Sequence, residues 1–250
     1  MTSDDWISFW NSKHSIYVSE QHCAVHYRCI ADDILKFVPQ GARVLDYGCG
    51  EARSAECLLT RASRLMLCDA APSIRASISR RFATQSRIEV LAPDQVASMS
   101  DGAVDLIVMH SVAQYLNISQ LNALLALFYR LLSPNGSLVL GDVIGTNASA
   151  LADVTTLLAF AIREKFLIAA MSGLVRTAFS RYRTLRSEVG LLTFEEQEIL
   201  AVLTATGYDA RRASKNIGHN RTRQTFVARP IAKAPPQQDT YIRLIGRWAP

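Results

Sequence analysis

No apolar run in this chain reaches the roughly 18 residues a helix needs to cross a bilayer. The nearest candidate, LLAFAIREKFLIAAMSGLV, is interrupted by Arg163, Glu164 and Lys165, so no transmembrane segment is expected. The start, MTSDDWISFW, has neither a basic stretch nor an apolar one after it, which speaks against a secretory signal. Five cysteines, at 23, 29, 49, 57 and 68, form no C-x-x-C pair. Their odd number suits neither a disulfide framework nor a zinc site, and a reducing cytoplasm is the expected setting. Neither sign of charge dominates: 27 basic residues face 22 acidic ones, for +5. That excess is too small to signal nucleic acid by itself. Internal repeats and low-complexity tracts are also lacking.

What the sequence does have is an alternation of short apolar runs and helical patterns. Its 250 residues, 49% of them hydrophobic, suit one α/β domain with a sizeable core. RVLDY (43–47) reads as a first strand, and EARSAECLLTRA after it as a helix. RLMLCD (64–69) is the second strand, and Pro72 opens the helix SIRASISRRF, at a position where the first turn tolerates proline. RIEVL (87–91) and VDLIVMH (104–110) follow, the latter apolar enough to be covered on both faces. Apolar residues at 121, 124, 125, 128, 131 and 132 repeat with helical period. Ser133-Pro134-Asn135-Gly136 reads as a turn, and SLVLGDV (137–143) as a fifth strand. Such alternation implies a mostly parallel sheet with helices on both faces.

Beyond residue 147 the rhythm breaks, and 148–186 is helical in pattern throughout. Thr193 and Glu196 are placed as a capping box for the next helix, which Gly207 stops. YDARRASKNI and RQTFVARP read as two closing strands. The expected organisation is an N-terminal helical cap (1–40), a Rossmann-like domain (41–147 and 187–230), a helical lid inserted at 148–186, and a tail (231–250) that begins as a proline-marked linker.

Asp46-Tyr47-Gly48-Cys49-Gly50 joins the first strand to the first helix. Glycines at such a turn let the backbone pass close to a ligand, and open α/β sheets bind ligands beyond the carboxyl ends of their strands. Asp69 closes the second strand 19 residues after Gly50, where a carboxylate can accept from a ribose diol. A dinucleotide fingerprint would need glycine where Arg53 stands, and Asp46 would repel a pyrophosphate. The pattern favours a sulfonium amino-acid nucleoside over NAD.

VLDYGCGEA resembles motif I of the class I S-adenosylmethionine-dependent methyltransferases of the small-molecule type. CDAAP resembles the segment after it, VDLIVMHSVAQYL the fourth-strand motif and LLSPNGSLVLGDV the fifth. The resemblance covers residues 41–145 and 190–230. It implies a seven-stranded sheet with an antiparallel last strand and S-adenosyl-L-methionine as cofactor. It places Asp46 and the turn Gly48, Cys49 and Gly50 at the methionine portion, and Asp69 with the adjoining Ala70 at the ribose. Ala52 replaces the third glycine of the motif. Asp94 and Gln95 are the candidates for the adenine, and Tyr17 for an N-terminal segment that closes over the cofactor.

Methyl transfer from a sulfonium demands alignment and a dry pocket more than a catalytic triad, so a base is needed only where the acceptor must lose a proton. His110, at the end of the fourth strand beside the cofactor, is one candidate base; His219, in the link between the last strands, is the other. Asn220 shares that link, and Asp142 follows the fifth strand. The plainer roles are a cofactor-lining histidine, a hairpin turn and a loop carboxylate. His22 and His26 are four apart and can share a helix face, but no H-E-x-x-H pattern accompanies them and no metal is expected. Arg163, Lys165, Arg176, Arg181, Arg183 and Arg186 give the lid a basic character. They read as a solvated face, or as the cationic rim of an apolar site for a hydrophobic or anionic acceptor, or as a shallow membrane contact. The expected partner is a small-molecule O or N acceptor, with the chain a monomer or homodimer. The alternatives are a nucleic-acid or protein methyltransferase and a non-catalytic cofactor-binding protein. Against the first, His110-Ser111-Val112-Ala113 stands where nucleic-acid amino-methylases carry Asn/Asp-Pro-Pro-aromatic, so nucleic acid is not expected.

Overall fold

The computed structural model describes residues 7, 8, 11, 19–178 and 191–231. In chain order its elements are α1 (Glu20–Leu35), β1 (Arg43–Tyr47), α2 (Ala55–Leu58), β2 (Arg64–Cys68), α3 (Pro72–Arg81), β3 (Ile88–Leu91), α4 (Pro93–Ala97) and β4 (Val104–His110). A 3-10 turn at Ala113–Tyr115 leads to α5 (Ile118–Leu131), β5 (Leu132–Ile144), α6 (Ala150–Arg163), α7 (Leu167–Ala178), α8 (Glu196–Ala205), β6 (Tyr208–Arg212) and β7 (Arg223–Pro230). The strands among these residues form one seven-stranded sheet in the order β3-β2-β1-β4-β5-β7-β6. β1 to β5 are parallel, and β7 is antiparallel to both β5 and β6. This is the Rossmann-like α/β sheet the motifs imply. Its order reverses between β1 and β4, the switch point where such sheets hold ligands.

Register decides which side chains share a face. Val44, Leu65 and Leu106 are partners across β1, β2 and β4, and they pack with Val139 and with Ile30 and Ile34 of α1. Leu45, Ile107 and Leu138 face the other way, onto Leu121, Leu125 and Phe128 of α5 and Ile199 of α8. Cover on both sides explains why β4 is apolar at nearly every position. Each fully buried side chain of this size contributes about 1.5–3 kcal/mol.

Three local readings of the sequence differ from the structure. The helix expected over 51–62 shrinks to Ala55–Leu58. Ala52 lies at φ 45°, outside helical geometry, and Arg81 Nη2 holds that turn by donating to the carbonyls of Glu51 and Ala52 at 2.6 and 2.7 Å. Ser133–Gly136 does not separate α5 from the fifth strand. It bulges within β5, between Leu132, opposite Val104, and Ser137, opposite Leu106. The capping box belongs to Glu195 and Glu198, whose side chain accepts from the Glu195 N–H at 2.8 Å, and not to Thr193 and Glu196. Phe194 is drawn into a bridge with Gly145, which holds its neighbours extended. Between α6, which ends at Arg163, and α7, Lys165 lies at φ 61°, and Phe166 N–H reaches back to Ala161 O at 2.9 Å. That is a helix stop built without the usual glycine.

The starting ends of β1 and β4, opposite Asp69 and His110, are fastened by Asp105. Its carboxylate accepts from the Arg43 backbone N–H, Arg43 Nε and Nη2, and Ser133 Oγ at 2.8–3.0 Å. The Arg43 guanidinium holds its pKa down at about 2 against the opposing effect of burial. A folded value below the ordinary carboxylate range contributes stability above pH ~4 that is lost as pH falls towards 2. Both side chains are about a third or more exposed, so screening trims the effect. Asp105→Asn is expected to lower the unfolding free energy by about 1 kcal/mol at pH 7. In urea titrations that deficit should vanish near pH 2.

Candidate active site

Asp46 is the register partner of Leu67 and of Val108, so all three face one side of the sheet. Two residues further along β2 and β4 the same side is presented by Asp69 and His110. Three candidate residues drawn from separate motifs therefore meet at the switch point, on the α1 side.

The glycine turn is shaped by its neighbours. Gly48 and Gly50 have φ of 79° and 53°, in the left-handed region that glycine enters freely. The N–H groups of Gly48 and Cys49 both donate to Cys68 O, at 2.8 and 3.0 Å. The Asp69 carboxylate accepts from the Gly50 N–H at 3.0 Å and the Ala71 N–H at 2.8 Å. Since an ionised carboxylate offers about four lone-pair sites, capacity remains for a diol. Arg75 Nη1 closes the second loop by donating to Asp69 O and Ala70 O at 2.7 and 2.8 Å. A Cβ on Gly48 would run into Val112, and one on Gly50 would touch the Tyr27 hydroxyl at 3.6 Å. Tyr27 is held there by Ser54 Oγ, which donates to its carbonyl at 2.8 Å.

Electrostatics divides these groups. Burial, aided by the neighbouring Asp69, pushes Asp46 up to about 7. Asp69 is also raised by burial, although two backbone N–H groups and Arg75 oppose it. Burial carries the Cys49 thiol well above its usual range, so it is an inert wall of the turn. Asp94 and Gln95 lie exposed at the start of α4. Gln95 Oε1 already accepts from the Ala92 N–H at 2.8 Å, capping its own helix. Tyr17 lies outside the described residues, as do Arg181, Arg183 and Arg186.

The other half of the site is a histidine cluster, of which the sequence shows only the parts. Asp33, at the buried end of α1, accepts from Lys215 Nζ and from the Gly218 N–H at 3.0 Å each. Burial alone would raise its pKa, but these bonds and one from Lys36 hold it low. The clamp brings the β6–β7 link against α1. His219 Nδ1 then lies 3.3 Å from His26 Nδ1, and the His22 and His26 ring centroids are 6.0 Å apart. Phe160 of α6 stacks on His219 at 4.1 Å, and Phe166 on His22 at 5.0 Å. Burial, then the charge of His219, lowers His22 to about 4 and His26 well below its usual range. The rings therefore stay neutral at pH 7. Among the described residues no group of three or more His, Cys, Asp or Glu is arranged to hold a metal ion.

His110 adjoins this cluster. Its Nδ1 is 3.1 Å from Ser111 Oγ, and Ser111 donates to Asp142 Oδ2 at 2.6 Å. Asn216 Oδ1 accepts from the Asp142 N–H at 3.2 Å and from Thr225 Oγ1 at 2.8 Å. In the segment expected to serve as a lid, Arg163 and Lys165 are exposed, and Arg163 pairs with Glu164 at 3.0 Å. Val112, Tyr27, Ser111 and Asn216 went unnoticed as site residues in the sequence. For Ser111 a signal exists, since it directly follows the strand-end histidine.

These features define the Rossmann-like methyltransferase fold. Residues 44–136 match the family model of a methyltransferase domain. The DhpI–SAH complex is similar at TM-score 0.60 and 13% identity, covering 92% of this chain and 98% of that one. The N-methyltransferase NodS from Bradyrhizobium japonicum WM9, in complex with S-adenosyl-L-homocysteine, is similar at TM-score 0.55 and 17% identity, over 91% and 97%. Magnesium protoporphyrin IX methyltransferase (ChlM) from Synechocystis PCC 6803, with bound SAM, gives 0.54 and 13%, over 91% and 90%. At these identities the likeness is one of fold. No curated protein matches the sequence.

Gly48→Ala is expected to cost at least about 2 kcal/mol, from left-handed strain and overlap with Val112. Adding Val112→Ala should recover the overlap part only. Thermal unfolding of the two variants against wild type checks both figures.

Proposed function

We propose that the protein is an S-adenosylmethionine-dependent methyltransferase acting on a small-molecule oxygen or nitrogen acceptor. The observation that carries this reading is the bond from the Gly50 N–H to the Asp69 carboxylate, which joins the two loops a nucleoside amino acid must bridge. Asp46 faces the same side and meets the ammonium end, Gly48 to Gly50 provide backbone for the methionine portion, and Asp69 retains lone pairs for the ribose hydroxyls. Ala70 and, at the start of α4, Asp94 border the nucleoside; Gln95 acts there as a helix cap. The bound donor supplies an activated methyl group. The chain's own task is to align the acceptor with it and to keep water out.

A small acceptor is favoured by the aromatic and imidazole wall. Phe160, Phe166, His22, His26 and His219 crowd the acceptor side with neutral rings, a surface suited to an apolar or aromatic molecule. A nucleic-acid acceptor would call for a basic track along the cleft, whereas Lys215, Arg223 and Arg163 here each pair with an acid, Asp33, Asp153 and Glu164. His219 borders the acceptor, with α6 and α7 as its cover. A reducing cytoplasm and a monomer or homodimer remain part of the reading.

Calorimetry with S-adenosylhomocysteine and NADH tests it. The first should bind and the second should not; the reverse would overturn the assignment. Asp46 adds a pH signature. Its carboxyl titrates at about 7 in the free chain, and an ammonium selects the ionised form. Affinity should therefore be flat above pH 7 and fall about tenfold per unit below it. Asp46→Asn should weaken binding at pH 8 and erase the acid limb, while the ligand-free chain becomes more stable because a buried carboxylate is gone.

A further inference from the structure

Ser111 and Asp142 sit at the ends of adjacent strands, where His110 is paired with Gly141. Both have left-handed backbones, with φ of 58° and 59°, a conformation costing about 1–2 kcal/mol per residue away from glycine. Two strained residues side by side, with their side chains joined at 2.6 Å, indicate a constraint worth that cost. Gly141 belongs to the same device: a Cβ there would lie 2.8 Å from His110 Cδ2, so only glycine leaves room for the ring. The Ser111 backbone is fixed by its own N–H, bound to Gly141 O at 3.1 Å, and by Gln114 Nε2, which donates to Ser111 O at 2.9 Å.

A hydrogen count then fixes the tautomer. An ionised carboxylate only accepts, so the serine hydroxyl spends its one hydrogen on Asp142. Ser111 Oγ can therefore only accept from His110, which puts the ring proton on Nδ1. Nε2 is left with a lone pair. Among the described residues no hydrogen bond of good geometry meets this buried atom, although the Ile217 carbonyl faces the ring and favours its charged form. Such orphaned buried atoms demand a reason.

We propose that His110 Nε2 is the base that takes the acceptor's proton, and that Ser111 and Asp142 are positioning residues that hold it in the Nδ1–H form. The proposal rests on the methyltransferase reading above. The acceptor's lone pair forms a bond to the methyl carbon while the carbon–sulfur bond breaks, its electron pair staying on sulfur as a neutral thioether. The acceptor proton passes to Nε2, and the imidazolium is balanced through Ser111 by Asp142 until the proton leaves to solvent. The groups facing the ring are Asp142 from β5, Asp33 and His26 from α1, and the Ile217 carbonyl from the β6–β7 link. Burial holds the ring neutral at pH 7, with Asp142 pulling the other way.

Long-range 1H–15N spectra of histidine-labelled protein read the tautomer directly, with His110→Gln identifying the signal. Nδ1–H is expected in wild type, and Nε2–H there would overturn the proposal whatever any variant does. Turnover is measured with S-[methyl-14C]adenosylmethionine and the metabolite fraction that takes up label. Asp142→Asn should lower kcat at least tenfold, leave S-adenosylhomocysteine affinity within twofold, and move the acid limb of the kcat profile to lower pH. A merely structural role would not move that limb, and an unmoved limb counts against the relay. Ser111→Ala should release the tautomer to a mixture; an unchanged Nδ1–H signal would remove the serine from the scheme. Absence of S-adenosylhomocysteine binding by wild type would instead defeat the methyltransferase reading, leaving the tautomer result standing.

Discussion

The Asp69 carboxylate is the tie on which the cleft depends. One of its oxygens holds the Gly50 N–H and the other the Ala71 N–H, so a single side chain fixes the relative position of the loops after β1 and β2. Without it, the two loops would be joined at that level only by the Cys68 carbonyl, which Gly48 and Cys49 share. Its placement lets one residue do two things in turn. It orders backbone that would otherwise wander, and it presents its unused lone pairs at a fixed height above the sheet.

A second theme is the deliberate retention of unfavourable chemistry. Asp46 is held where burial and a like charge both oppose its ionisation. Ser111, Asp142 and Ala52 occupy backbone conformations better suited to glycine. Strain gathered at one end of a sheet, with the opposite end fastened by Asp105 and Arg43, is the arrangement expected where function and stability compete. The apolar strands in between supply the surplus that makes this tolerable.

The mostly parallel sheet and the carboxylates that meet at the switch point were legible because their signals are local. Strands covered on both faces announce themselves as unbroken apolar runs, and Asp46, Gly48, Gly50 and Asp69 fall at a spacing set by one βα unit. The failures are places where a distant contact overrules a local preference. Arg81 holds Glu51 and Ala52 in a turn ahead of the helix expected to include them. Gly145 draws Phe194 into a bridge and relocates a capping box. The histidine cluster was hidden for the same reason: His26 and His219 are 193 residues apart in sequence and meet through the Asp33 clamp, which no periodicity reveals.

The reversed direction of β7 has a practical side. A parallel last strand would deliver the chain to the rim that carries Asp69 and His110, but β7 runs the other way and returns it to the opposite rim. There Ile231 N–H bonds to Gly207 O at 2.9 Å, and Ile231 O accepts from Tyr129 Oη at 2.5 Å. An affinity handle, fluorophore or surface tether fused directly after Ile231, in place of the residues that follow, leaves the sheet on the rim opposite Asp46, Asp69 and His110.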